Sequence, residues 1–309
     1  MSKTVMDRVT ALRASPTGTA FLIVADHAGL SPEEAAAPEE ALHLAAMAHS
    51  ETFRFRSIHD WLVPAVLAEG PRLLPYATAI MEQPAAAEWF APLDRAAQEW
   101  IGRIDVQPVF REPHPSFTDP VDWERYAQKP LRGVMTTTAV GPTNAALIAL
   151  RHHTGDYHIL EGAPDRRVLE PPYSRWRLRP AAGARVFEVT GPETWHRLCR
   201  SYPDRDKEGR LVPDWEAVAT EWDGVHLTLG GLLTADQTRF DGEDGWSEHR
   251  SWEFEATFWL HWCFAAVERL PDVEVLPDPP LDAHWPWDFR PPAGMFSGLV
   301  SIDLLPIDP

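Results

Sequence analysis

Cysteine is almost absent: Cys199 and Cys263 are the two in 309 residues, each in a tryptophan-rich apolar setting. That scarcity excludes a disulfide framework and predicts two buried free thiols. Long hydrophobic runs are also missing. The longest, "GTAFLIVA" near the start, falls far short of the roughly 20 residues that span a bilayer, and it lacks the basic flank and cleavage site of a signal peptide. A soluble, cytoplasmic protein is expected. Basic residues are few, with 28 Lys and Arg against 46 Asp and Glu and a formal net charge of -18. The resulting field repels polyanions, which disfavours non-specific binding to nucleic acid or to acidic membranes. No G-x-S-x-G occurs, and neither cysteine has an electropositive setting, which argues against a nucleophilic hydrolase.

What is present is apolar content enough for one large core or two smaller ones, with 44% hydrophobic residues. Residues 1–103 read as a helical domain. In "SPEEAAAPEEALHLAAMAHS", Ser31 suits an N-cap, Pro32 the first helical position and Glu33 and Glu34 the first turn. "IHDWLVPAVLAEG" and "AAAEWFAPLDRAAQEWIGRI" continue as amphipathic segments. Residues 104–130 form a linker, because five prolines within 23 positions from Pro108 preclude regular structure over most of it. From 131 to 309 short alternating runs predict strands: "RGVMTTTAV", "RWRLRP", "ARVFEVTG", "GVHLTLGGLLT" and "SWEFEATFW". "GPETWHRLCRSY" and "VPDWEAVATEW" read as helices between them, and the tail from Pro271 holds nine of the 30 prolines and reads as extended. The expected class is α+β, with a helical N-terminal part and a mainly antiparallel sheet.

Four stretches carry candidate chemistry. In "SWEFEATFW" a period of two puts Glu253, Glu255, Thr257 and Trp259 on one face and Trp252, Phe254 and Phe258 on the other. Two carboxylates then project about 7 Å apart, a pair suited to orienting a nucleophile and stabilising an oxocarbenium-like sugar. The competing reading is an amphipathic helix through 267, with the glutamates facing water. "LRGVMTTT" joins Arg132, able to grip a phosphate bidentately, to Thr136, Thr137 and Thr138 on a strand; the same threonines also suit β propensity alone. Arg175, Arg177 and Arg179 fall on one face of a strand, where they can hold a diphosphate or simply protect an edge. His152, His153, Asp156 and His158 look like metal ligands, but their spacing fits no metalloenzyme signature, and no metal is expected.

Taken in order, "LRGVMTTT", "SRWRLRP", "RVFEVTGPETWHRL", "PDWEAVATEWDGVHLT" and "WEFEATFWL", over roughly 129–262, resemble the ADP-ribosyltransferase superfamily of the arginine-serine-glutamate class. That class has an arginine on an early strand, a serine/threonine strand next and a Glu-x-Glu near the end. The resemblance implies a split, mainly antiparallel sheet and NAD as substrate, with ADP-ribose passed to a protein or small-molecule acceptor. It implies that Arg132 holds NAD, with Thr136 and Thr137 beside it, that Glu255 is the catalytic glutamate and that Glu253 orients the acceptor. Arg177 is the alternative holder of the diphosphate. Thr136 to Thr138 follow Arg132 directly, closer than the family spacing, so either another arginine takes that role or the middle motif lies near Thr228. The rival expectation is a binding protein that engages a partner through a tryptophan-rich surface.

Overall fold

The computed structural model describes residues 2–56, 62–103, 134–140, 143–144, 146–147, 172–250, 252 and 254–275. Its first part is helical: α1 (Lys3–Ala14), α2 (Pro16–His27), α3 (Pro32–Ala36), α4 (Pro38–Arg56), α5 (Leu62–Ala68), α6 (Leu74–Met81) and α7 (Pro84–Glu88). The ends follow capping chemistry. Ser15 caps α2 with Pro16 in its first turn, and Ser31 and Glu34 exchange bonds at α3, Glu34 N to Ser31 Oγ 3.2 Å and Ser31 N to Glu34 Oε2 2.8 Å. The helix expected to run on from Ser31 breaks at Ala37, whose backbone is extended, and Pro38 starts α4. The apolar run near the start becomes α2, buried from Pro16 to Ala25 and packed on α1 and α4. Among the described residues no helix is long and apolar enough to cross a membrane.

An eight-stranded sheet follows, built from β1 (Gln98–Arg103), β2 (Val134–Val140), β3 (Thr143–Asn144), β4 (Tyr173–Pro180), β5 (Val186–Val189), β8 (Gly224–Leu227), β11 (Ala256–Trp259) and β12 (Phe264–Val273). Its order is β12-β4-β1-β2-β11-β8-β5, with β3 beside β2. Every pairing in it is antiparallel except β5 with β8. A second sheet, of β6 (Pro203–Arg205), β7 (Leu211–Pro213), β9 (Arg239–Gly242) and β10 (Gly245–Glu248), has the order β6-β7-β10-β9. The helices α8 (Pro192–Ser201), α9 (Trp215–Glu221) and α10 (Leu229–Ala235) complete the α+β fold.

Two elements depart from expectation. Residues 98–103, read as the end of an amphipathic helix, form β1 at the centre of the sheet. Pro92 cannot continue α7, and the alternation of Gln98 and Trp100 with Glu99 and Ile101 then suits pairing with β2 and β4. "GVHLTLGGLLT" is a strand only to Leu227; Thr228 turns the chain into α10 by accepting from Gly231 N at 2.9 Å. Gly231 is needed there, since a Cβ would lie 2.2 Å from Val189 O.

The apolar core is continuous across the expected boundary at 103. One cluster runs from Leu12, Phe21 and Leu44 through Trp89 to Val189, Leu227 and Leu233, and a smaller one holds Trp176, Leu178 and Trp259. Gly18 of α2 lies so close to α10 that a Cβ would sit 2.4 Å from Leu233 O. Beneath this contact Asp236 is fully buried. It accepts from Thr17 Oγ1 at 2.6 Å and meets His49 Nδ1 at 2.9 Å, while its carbonyl accepts from Ser15 Oγ at 3.2 Å. Burial alone would raise its carboxyl, but His49 and His249 hold it well below the usual carboxylate range.

Candidate active site

The strand reading of "SWEFEATFW" holds for Ala256–Trp259. Phe258 packs on Trp215 and Trp252, ring centroids 5.4 and 6.5 Å apart, and anchors one face of β11. Glu255, at the bend before the strand, is buried along with Thr257 and Trp259. Glu253 and Arg132 lie outside the described residues, as do His152, His153, Asp156 and His158.

Neighbouring strands decide what surrounds Glu255. Thr257 of β11 is in register with His226 of β8 and Thr136 of β2, and His226 in turn with Glu188 of β5. Directly opposed residues share a face, so Glu188, His226, Thr257, Thr136, Thr138 and Gln98 form one polar row across the sheet. Glu255 takes hydrogen bonds from Thr138 N (3.0 Å) and Thr137 Oγ1 (3.1 Å) at Oε2 and from Thr138 Oγ1 (2.8 Å) at Oε1. Thr136 is one step removed, bonded to Gln98 and Trp259.

The row has a direction. An indole nitrogen only donates, so Trp259 Nε1 gives its proton to Thr136 Oγ1 at 2.8 Å, and the Thr136 hydroxyl donates onward to Gln98 Oε1 at 2.6 Å. That orients the Gln98 amide, whose Nε2 donates to Thr138 Oγ1 at 3.0 Å and to Asp94 O at 3.1 Å. Thr138 must then donate to Glu255. Thr257 Oγ1 lies between Gln98 Oε1 at 3.3 Å and His226 Nδ1 at 3.0 Å.

Beside this row lies a cavity of about 330 Å³, at the lower end of ligand sites. Glu255, His226, Thr138 and Thr228 form its floor, with Trp89 of the helical part and the acids Glu88 and Asp94 also lining it. Among the described residues no Lys or Arg lines it. His226 stands between two carboxylates, Nδ1 3.6 Å from Glu255 Oε1 and Nε2 3.8 Å from Glu188 Oε2. Burial, with repulsion from Glu255, pushes the Glu188 carboxyl above its ordinary value, against the pull of His226 and of the Leu93 amide, which bonds Oε1 at 3.1 Å.

Arg177 is not brought to this site. Gln98 belongs to the cavity face, so Glu99 points to the other one, and Arg177 is in register with Glu99. Arg175 grips the buried Glu99 through Nε at 2.7 Å and Nη2 at 3.0 Å, with Arg177 Nη2 at 3.4 Å. Arg179 pairs with Glu268. The expected diphosphate row is an ion-pair ladder on the reverse of the sheet. Among the described residues Trp100, Trp215, Trp222, Trp246 and Trp262 are half-buried and the other tryptophans are buried. Also among them, no group of three or more His, Cys, Asp or Glu is arranged to hold a metal ion. No family model, curated protein or solved structure matches the chain.

His226, Glu188 and Gln98 were not singled out by sequence reasoning. The signals were faint: a histidine inside "GVHL" and a glutamate inside "VFEV", each a polar residue interrupting an apolar strand of a parallel pair.

Proposed function

We propose that the protein cleaves the nicotinamide–ribose bond of NAD at this cavity and transfers ADP-ribose to an acceptor. The observation that carries the reading is Glu255: a buried carboxylate on a cavity wall, fixed by three donors from the adjacent threonine strand. Charge held rigidly in a water-poor site stabilises a developing sugar cation without reorganisation. The lining supports the same chemistry, since the acids Glu88, Asp94 and Glu255 suit the positively charged nicotinamide end of NAD. The diphosphate then lies outside the cavity, and Arg132, just ahead of β2 in the chain, is the arginine assigned to it.

The strand order is a further support. The threonine strand of the ADP-ribosyltransferase resemblance is β2 and its glutamate strand is β11, and the two are neighbours, with β1 on the far side of β2 as the early strand. In this reading the two sheets are the split arrangement of that superfamily.

Glu255→Gln keeps the shape and one accepting oxygen, turns the other into a donor, and removes the charge. Nicotinamide release should fall about a hundredfold, of order 3 kcal/mol in the barrier. Release from NAD, followed over time for wild type and variant, checks this. Equal rates would remove Glu255 from the chemistry, and no release by the wild type would remove NAD cleavage altogether.

A further inference from the structure

A second cavity adjoins the segment that lines the first. Trp89 and Ala91 line the acidic cavity, while Phe90 between them lines a separate one of about 290 Å³, with Asp7, Arg8 and Ala11 of α1 and Pro192 and Glu193 at the start of α8. Cleavage of NAD makes no use of it. Arg8 is half-buried, yet its guanidinium has no hydrogen-bond or ion-pair partner; what it meets is the Phe90 ring, 4.0 Å from Cζ to the centroid. Arg175, Arg210 and Arg250 are also half-buried, and each of them holds a carboxylate. The carboxylates of Asp7 and Glu193 line the same cavity as Arg8, and neither pairs with it or with any other residue. We infer that this cavity binds a free α-amino acid with a small apolar side chain, its carboxylate held by Arg8 and its ammonium by Glu193 and Asp7.

A cation and two carboxylates that share a cavity without neutralising one another suit a ligand that carries both charges itself. A guanidinium presents its N–H groups as a planar fork that matches a carboxylate. One flat face of Arg8 rests on Phe90, which leaves the N–H edges for a ligand. The ring is itself fixed, because Gly230 N donates to Trp89 O at 2.7 Å and a Cβ on Gly230 would lie 2.4 Å from Phe90 Cε1. Arg8 is therefore placed before a ligand arrives, and little side-chain freedom is lost on binding. Burial without a counter-charge pushes its guanidinium below the ordinary value, and a ligand carboxylate supplies that charge.

The remaining lining selects the side chain. Ala11, Phe90 and Pro192 are apolar, and a cavity at the lower edge of ligand sites leaves room for a short side chain only. A simple anion would meet two carboxylates here, and a simple amine would meet the guanidinium. The zwitterion satisfies both ends, with Asp7 and Glu193 reaching it from two different helices.

Isothermal titration of the full chain with L-valine tests this, beside acetate, N-acetyl-L-valine, which lacks the ammonium, and L-valinamide, which lacks the carboxylate. Both derivatives should bind at least about tenfold more weakly than L-valine. Arg8→Gln should weaken L-valine by about tenfold or more and should not weaken L-valinamide. Arg8→Lys keeps the charge and the stem beside Phe90 but not the fork. Its affinity should fall between those of wild type and Arg8→Gln, which keeps the test open if the glutamine variant folds poorly. Replacing both acids, Asp7→Asn with Glu193→Gln, should weaken L-valine by about fivefold, less than the arginine because both are exposed, and should not weaken N-acetyl-L-valine. No saturable binding of L-valine, acetate bound as tightly as L-valine, or an unchanged affinity in both Arg8 variants overturns the inference. Nicotinamide release plays no part in these measurements, so their outcome and that of NAD cleavage are separate.

Discussion

Arg175 and Arg177 stand on the same face of β4 and hold the same carboxylate unequally. Arg175 makes two short bonds to Glu99 and is the more buried, while Arg177 makes one at 3.4 Å and is about a third exposed. Removing the tighter partner strands a buried charge. Arg175→Ala should therefore cost about 3 kcal/mol, and Arg177→Ala less than about 1 kcal/mol because solvent screens what it loses. Urea unfolding of both variants measures the difference, and titration with NAD should give the same affinity for Arg177→Ala as for wild type. Sequence reasoning placed these arginines correctly on one strand face, but which face of the sheet was not legible, because that depends on pairing with a strand over 70 positions earlier. Glu255 was legible for the opposite reason, since its aromatic neighbours declare their own burial. The thiols follow the same rule: burial lifts Cys199 and Cys263 to about 12, and neither is a nucleophile at neutral pH.

At the scale of elements, local chemistry was read well and long-range chemistry was not. The Ser31–Glu34 exchange, α8, α9 and β4 all follow from residues within a few positions of one another. The strand β1 was misread because its helical spacing is real but outweighed: two partner strands satisfy its backbone and bury Gln98 and Glu99. Likewise α10 hid inside an apolar run, marked only by a threonine before two glycines. The α2–α10 contact gives a prediction. Gly18→Ala puts a methyl within 2.4 Å of backbone oxygens on both sides, at Leu12 and Leu233. Neither oxygen can swing away as a side chain would. The variant should lose about 1–3 kcal/mol, read as a lower urea midpoint with an unchanged slope.

Across the whole molecule, Asp236 ties the helical part to the rest. Its folded carboxyl titrates below the unfolded value, so its contribution is complete above about pH 4 and is lost as pH falls below that. Asp236→Asn should cost about 3–5 kcal/mol at neutral pH, as breaking a buried pair does, and its stability should decline less steeply toward acid. Urea midpoints between pH 2 and 7 measure both. With one core running from α1 to α10, wild type should melt in a single transition seen equally by fluorescence and circular dichroism; separate melting of the helical part would show that the core is less continuous than its contacts. The strand order also bears on how the chain is made. Strand β1 emerges early, yet its two neighbours are β2 and β4, and the next strand out from β2 is β11, near position 256. On the ribosome the outer edge of β2 must stay open until β11 has followed, so the nascent protein passes through a long interval in which it can be captured by a chaperone or by another copy of itself.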